Sequence, residues 1–398
     1  MRRGQLERWL AARARPIELA PDGSTAPLAA LDPVLDGARL AYVVESPHFV
    51  TEKYAFRTLV LRALAERGWR WFGEELGWAD GQHVDRFLRT GDDGALHQVP
   101  TYGDDSWRHP DRDDRPSGVL ADGERHFPLA AFASEQRAFA RSVRAAVPGA
   151  RWFGFDVDGG TTAAHPLLRG MLEPVPGESM AEEAARVEAL LAAEGAELPA
   201  VVRRTLDGLA GTLRYAVDAH PAVEWLDLRG PLAAREQLMH RHVDAVLDEP
   251  ELAAGQRVAL QAGSLHLLKD DRLASKLDRS LGPGGGLVPS VGHHLAQRPD
   301  VGPDRVAAIW MLCGSGRDSN PMVPGAQAVE PQRGTLNAAL AAVAAGQPLL
   351  VPLTGLEGEV VVQHMYGATF ATPAIGQLDA VVFAPQVSPL KVRLVPDR

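Results

Sequence analysis

RLAYVVESPHFVTEKYAFRTLVLRALAERGWRWFGEELGWAD, residues 39–80, has the grammar of a strand, a loop, a helix and a second strand. Leu40, Ala41, Tyr42, Val43 and Val44 form a nearly continuous apolar run, the pattern of a strand buried on both faces of a parallel sheet. It stops at Glu45-Ser46-Pro47-His48, because Pro47 cannot continue a central ladder. Thr51 is placed to cap a helix in which Phe56, Leu59, Val60 and Leu64 make one apolar stripe. Gly68 ends that helix, and Trp71-Phe72-Gly73 leads into a strand finishing at Glu74-Glu75. Both strands therefore deliver carboxylates at their C-terminal ends, the edge at which open α/β sheets bind ligands.

Working outward, strands are expected at 151–156, 256–261, 306–313, 349–353 and 378–383, with helices near the N-terminus and at 81–89, 134–147 and 335–345. The alternation predicts an α/β protein with a mainly parallel, doubly wound sheet, built as one domain over residues 1–398. Residues 165–250 turn to Ala, Leu, Glu and Arg at helical spacing, with stripes at Val187, Leu190, Leu191 and at Val202, Leu206, Leu209. They read as an inserted helical subdomain capping the sheet edge, and a groove beneath such a cap suits a bulky organic substrate. Residues 92–124 read as a long solvated loop, with Tyr102 and Trp107 as the reason to consider a lid. GPGGG at 282–286 reads as a flexible connector. The segment 1–19 carries basic residues, but with Leu6, Trp9 and Leu10 on one side it is expected to pack on its own domain.

Composition narrows the function. A net charge of −10 argues against a protein that tracks nucleic-acid phosphates. The single cysteine, Cys313, excludes an internal disulfide framework. With no apolar run long enough to span a bilayer and no signal-peptide pattern, the expectation is a cytoplasmic protein that takes a small molecule and engages neither nucleic acid nor membrane. Oligomeric state is not legible.

Glu45 and His48 stand three residues apart on a turn. A carboxylate beside an imidazole sets its tautomer and raises its basicity, as a general base at neutral pH requires. Glu75 on the neighbouring strand is placed to orient His48 or share a proton with Glu45, and Arg57 to hold a carboxylate or stabilise oxyanion charge. Serine nucleophiles are disfavoured, because neither Ser46 nor Ser264 sits in a Gly-x-Ser-x-Gly elbow. His48, His266 and one carboxylate would match a two-histidine metal set, but no His-x-x-x-His pair supports it. Chemistry without metal or cofactor is the expectation.

These residues resemble the erythromycin esterase family, whose signature is Gly-Glu-x-x-His at the end of one strand, an arginine on the next helix and a glutamate ending the next strand. The matching positions are Glu45 and His48 in ESPH, Arg57 in HFVTEKYAFR and Glu75 in WFGEE, with Val44 in place of the glycine. GWADGQHVDRFLRTG continues the likeness, and RWFGFDVDG, AAREQLMHRHV, VALQAGSLH and VGHHL echo it. The family's Ala-His-Asn-x-His block reads here Ala262-Gly263-Ser264-Leu265-His266, and its Arg-Asp-x-x-Met block begins at Arg235-Glu236. The resemblance implies catalytic roles for His48, Glu45, Glu75, Arg57 and His266; Glu74, Trp78, Asp156, His293 and Arg317 are expected to line the pocket beside them. It implies hydrolysis of an ester or lactone of a macrolide- or polyketide-like natural product by a His48-activated water. The missing histidine and asparagine at 263 and 264 keep open a cyclase, dehydratase or isomerase using the same base, and a binding protein without turnover.

Overall fold

A computed structural model describes residues 3–99, 101–102, 133–158, 163–219, 229–253, 255–269, 289–319, 326–363, 369–373 and 376–390. Its centre is a nine-stranded sheet. The strands are β1 (Arg15–Pro16), β2 (Leu40–Glu45), β3 (Trp71–Gly77), β4 (Arg151–Asp156), β5 (Val258–Gly263), β6 (Val306–Asp318), β7 (Gln327–Val329), β8 (Leu349–Pro352) and β11 (Ala380–Val387). Two others, β9 (Glu359–Gln363) and β10 (Thr369–Pro373), form a separate hairpin. The order is β1-β8-β11-β6-β2-β5-β3-β4, with β7 on the far end of β6. From β11 to β4 every neighbouring pair is parallel, while β8, β1 and β7 pair antiparallel at the margins. The expected α/β class and mainly parallel sheet are the ones found.

Helices cover both faces: α1 (Arg3–Ala11), α2 (Glu52–Glu66), α3 (Trp78–Thr90), α4 (Ala133–Ala146), α5 (Met180–Glu194), α6 (Ala200–Ala219), α7 (Arg229–Leu247), α8 (Val291–Ala296) and α9 (Leu336–Ala344). The period of two along each strand sorts the core. Ala41, Val43, Ile309, Met311 and Val382 pack with Phe56, Val60 and Phe139 of α2 and α4. Leu40, Tyr42, Val44, Trp310 and Phe383 pack on the opposite face with Met239, Val243, Leu295 and Leu340. Leu10, with Leu6 and Trp9 beside it, joins that second face, so the N-terminal helix packs on its own domain. Val187, Leu206 and Leu209 form a third, smaller core with Ala79 and Leu168.

Several local expectations change. Thr51 makes no side-chain cap; its hydroxyl donates to the Pro389 carbonyl at 3.3 Å. Helix α3 starts at Trp78, three residues early, and crosses β4 where Gly81 meets Gly154. A Cβ on Gly81 would lie 1.9 Å from the Gly154 nitrogen, so only glycine permits that crossing. β6 outruns the expected 306–313: it continues through Gly314-Ser315-Gly316-Arg317 to Asp318 and pairs with β7. The segment 282–286 and Trp107 lie outside the described residues. No helix among the described residues is long and apolar enough to cross a membrane.

Candidate active site

Strands β2, β3, β4 and β5 end side by side, and their C-terminal residues meet in two layers. The inner layer is dry. Glu45 ends β2 on the α2 face, and Arg57 of α2 reaches it with Nη2 at 2.9 Å. The other guanidinium nitrogen, Nη1, donates to Glu74 Oε1 at 3.0 Å. Glu74 Oε2 accepts from Tyr102 Oη at 2.9 Å and Trp152 Nε1 at 3.2 Å. Lys53 Nζ stands 3.5 Å from Glu45 Oε1. The Glu45, Arg57 and Glu74 side chains are only 2–4% exposed. Burial alone would raise the Glu45 carboxyl, but Arg57, Lys53 and His48 outweigh it and hold it at about 2. Burial wins at Glu74, which is pushed up despite Arg57 and Tyr102.

The outer layer is partly open to solvent: His48, Glu75, Arg235, Glu236 and His266 side chains are 14–20% exposed. Glu75 follows Glu74 on one strand and so points to the other face, toward α7. There Arg235 donates Nη2 to Glu75 Oε1 at 3.0 Å and Nε to Asp156 Oδ1 at 2.7 Å. Glu75 Oε2 accepts the Gly263 amide at 2.8 Å, and its Oε1 stands 3.3 Å from His266 Nε2. His266 Nδ1 is bonded to Glu236 of α7. Burial would lower His266, but Glu236 and Glu75 outweigh it and raise it to about 10, so the ring is an imidazolium at neutral pH. The same His266 and Arg235 charges, with His48, hold Glu75 well below the usual carboxylate range against its burial.

His48 joins the layers. Its Nδ1 lies 2.7 Å from Glu45 Oε1, and an ionised Glu45 makes that nitrogen the N–H donor. In the neutral ring Nε2 then carries the lone pair, and the ring lies against the backbone of Gly263 at the end of β5. A Cβ on Gly263 would sit 2.3 Å from His48 Cε1, 2.5 Å from Nε2 and 3.5 Å from Glu75 Oε2. The resemblance assigns a histidine to position 263. Here the glycine leaves that volume to the His48 ring.

The structure thus brings together His48, Glu45, Arg57, Glu75, His266 and Asp156. Glu74 and Trp78 stand apart from any substrate surface: both are buried, Trp78 beside the His242 ring with centroids 5.5 Å apart. His293 donates Nδ1 to the Lys269 carbonyl at 3.1 Å, outside the carboxylate cluster. Arg317 is exposed on the β6 extension and donates to the Ala326 carbonyl at 2.5 Å. Tyr102, whose aromatic ring suggested a lid, is a buried donor to Glu74. Sequence reasoning passed over Arg235 and Glu236, although the quoted Arg-Asp-x-x-Met block pointed to them and Glu236 keeps its carboxylate. Among the described residues no group of three or more His, Cys, Asp and Glu could hold a metal ion.

No family model matches the chain, and no curated protein matches it in sequence. Solved structures do. A Bacillus cereus protein superposes with a TM-score of 0.66 at 15% identity, covering 99% of this chain and 100% of that one. A succinoglycan biosynthesis protein gives 0.64 at 15% identity, over 98% and 99% of the two chains. A histidine-to-asparagine variant of the erythromycin esterase EreC, in its open conformation, gives 0.63 at 16% identity, over 96% and 100%. Over nearly its whole length the chain shares its fold with these structures, an erythromycin esterase among them.

Proposed function

We propose that the site hydrolyses an ester or lactone of a macrolide- or polyketide-like natural product with a water activated by His48. One observation carries this reading: a partly exposed imidazole whose Nδ1 is bonded to a carboxylate held at about 2, leaving Nε2 for a water at the C-terminal edge of the sheet. Nε2 takes a proton as the water oxygen attacks the carbonyl. The ester C–O bond then breaks, and the imidazolium returns the proton to the leaving alkoxide. Arg235 supplies positive charge for the oxyanion, and the His266 imidazolium, with both nitrogens against carboxylates, adds to the local positive charge without donating to it. Arg57 acts at one remove, because both its terminal nitrogens are committed to Glu45 and Glu74. Water and side chains suffice for this reaction.

The test is mass spectrometry in heavy-oxygen water, with wild type and His48→Ala, against macrolactones and linear polyketide esters. Succinoglycan oligosaccharides join the panel because one structural neighbour bears that name. A labelled oxygen whose incorporation falls about 10²- to 10⁴-fold in His48→Ala supports hydrolysis. A His48-dependent product of unchanged mass, or lighter by one water, would instead make the imidazole the base of a cyclase or dehydratase. Ligands that raise the melting temperature without turnover would point to a binding protein.

A further inference from the structure

The apolar stripe of α7 runs through Leu238, Met239, Val243, Val246 and Leu247, all buried. Glu236 lies three residues before Met239 and seven before Val243, so it falls on that buried stripe one turn toward the sheet edge. A carboxylate at such a place is costly unless its oxygens are bonded. Both are: Oε1 holds His266 Nδ1, and Oε2 accepts the Val291 amide at 3.0 Å from the first turn of α8. The imidazole so held turns Nε2 to Glu75, whose other oxygen accepts the Gly263 amide beneath His48. Glu236, His266, Glu75 and the Gly263 backbone thus form one chain of contacts from α7 to the base.

We propose that Glu236 is a positioning residue of this site: it fixes the tilt and the protonated form of His266, and through His266 the place of Glu75 beside His48. The inference rests on the hydrolytic reading for its consequence, though its central claim concerns the state of His266. Glu236 and Arg235 from α7 and Glu75 from β3 are the charged groups that act on that imidazole. Neutralising Glu236 removes the carboxylate bonded to Nδ1. His266 then loses its proton closer to the ordinary histidine range and presents a lone pair rather than a fixed positive charge.

Histidine side-chain NMR on the full-length protein tests this, with the His266 signal identified among the 13 histidines by its loss in His266→Gln. Wild type is expected to keep His266 as an imidazolium through pH 8. In Glu236→Gln the titration midpoint is expected to fall by about two pH units or more, and Glu236→Asp to restore part of the difference. If Glu236→Gln does not fold, Glu236→Asp still decides, since a carboxylate withdrawn by one methylene weakens the contact. A neutral His266 at pH 7 in wild type, or a midpoint unmoved by both variants, overturns the proposal. With a turned-over substrate, Glu236→Gln should lower kcat about tenfold or more while KM changes little. Failure of the hydrolytic reading would appear elsewhere, as product that carries no heavy oxygen, with the His266 titration still answering to Glu236.

Discussion

The two layers at the sheet edge use the same residue types to opposite ends. Glu45, Arg57 and Glu74 are shut from water, and their bonds are spent on one another and on Tyr102 and Trp152. His48, Glu75, Arg235, Glu236 and His266 are charged too, but each keeps part of its surface in solvent. A buried ion pair seldom adds net stability, yet removing one partner strands the other at high cost. Chemistry needs partial access. The inner layer is therefore the rigid seat of the base, and the outer layer is the part that can meet a substrate.

Arg57→Leu should separate the layers most strongly. It leaves Glu45 without its strongest counter-ion, and a loss of about 3–5 kcal/mol in denaturant unfolding is expected. A loss below about 1 kcal/mol would mean that the inner layer is wetter than its burial implies. Gly263→Ala should do the reverse and cost activity rather than fold. The new methyl displaces the His48 ring, and activity is expected to fall about 10²-fold while the melting temperature drops only modestly. Tyr102→Phe removes one donor to Glu74, for about 1–2 kcal/mol of stability with the substrate KM unchanged. A changed KM would place Tyr102 in contact with substrate.

pH-dependent stability separates the layers in another way, because they predict opposite limbs. His266 is raised from 6.5 to about 10 in the folded state, so its contribution is full below pH 6.5 and is lost as pH rises toward 10. Glu45 is lowered from 4.5 to about 2, so its contribution is full above pH 4.5 and is lost as pH falls toward 2. Melting curves from pH 2 to 11 should show both limbs, and His266→Gln should flatten the alkaline one while leaving the Glu45 part of the acid one. An alkaline limb unchanged in that variant would break the assignment.

The site was legible where chemistry is local in sequence. Glu45 and His48 are three residues apart, and Arg57 is less than three helical turns further on, so one strand–loop–helix unit carries most of the inner layer. Glu74 and Glu75 were both visible at the end of a strand. The alternation of side chains then assigns them to different faces, and what each meets depends on α2 and α7. Arg235 and Glu236 come from 160 and 161 positions beyond Glu75, and nothing in their spacing says that α7 lies against β3 and β4. For a matching reason spacing did not show what His293 and Arg317 meet: each donates to a carbonyl, of Lys269 and of Ala326, away from the carboxylate cluster.

By itself the sequence determined the central strands, the parallel sheet and the edge at which carboxylates and imidazole gather, because hydrophobic period, Pro47 and the strand-terminal glutamates act over a few residues; the marginal strands β1 and β7 and the β9–β10 hairpin were not among them. Tertiary structure alone decided which carboxylate is dry, and which histidine is held charged between two carboxylates. Those properties depend on desolvation and on charges brought within about 3 Å by long-range packing, and the 2.3 Å between a Cβ on Gly263 and the His48 ring exists only once β5 lies beside β2.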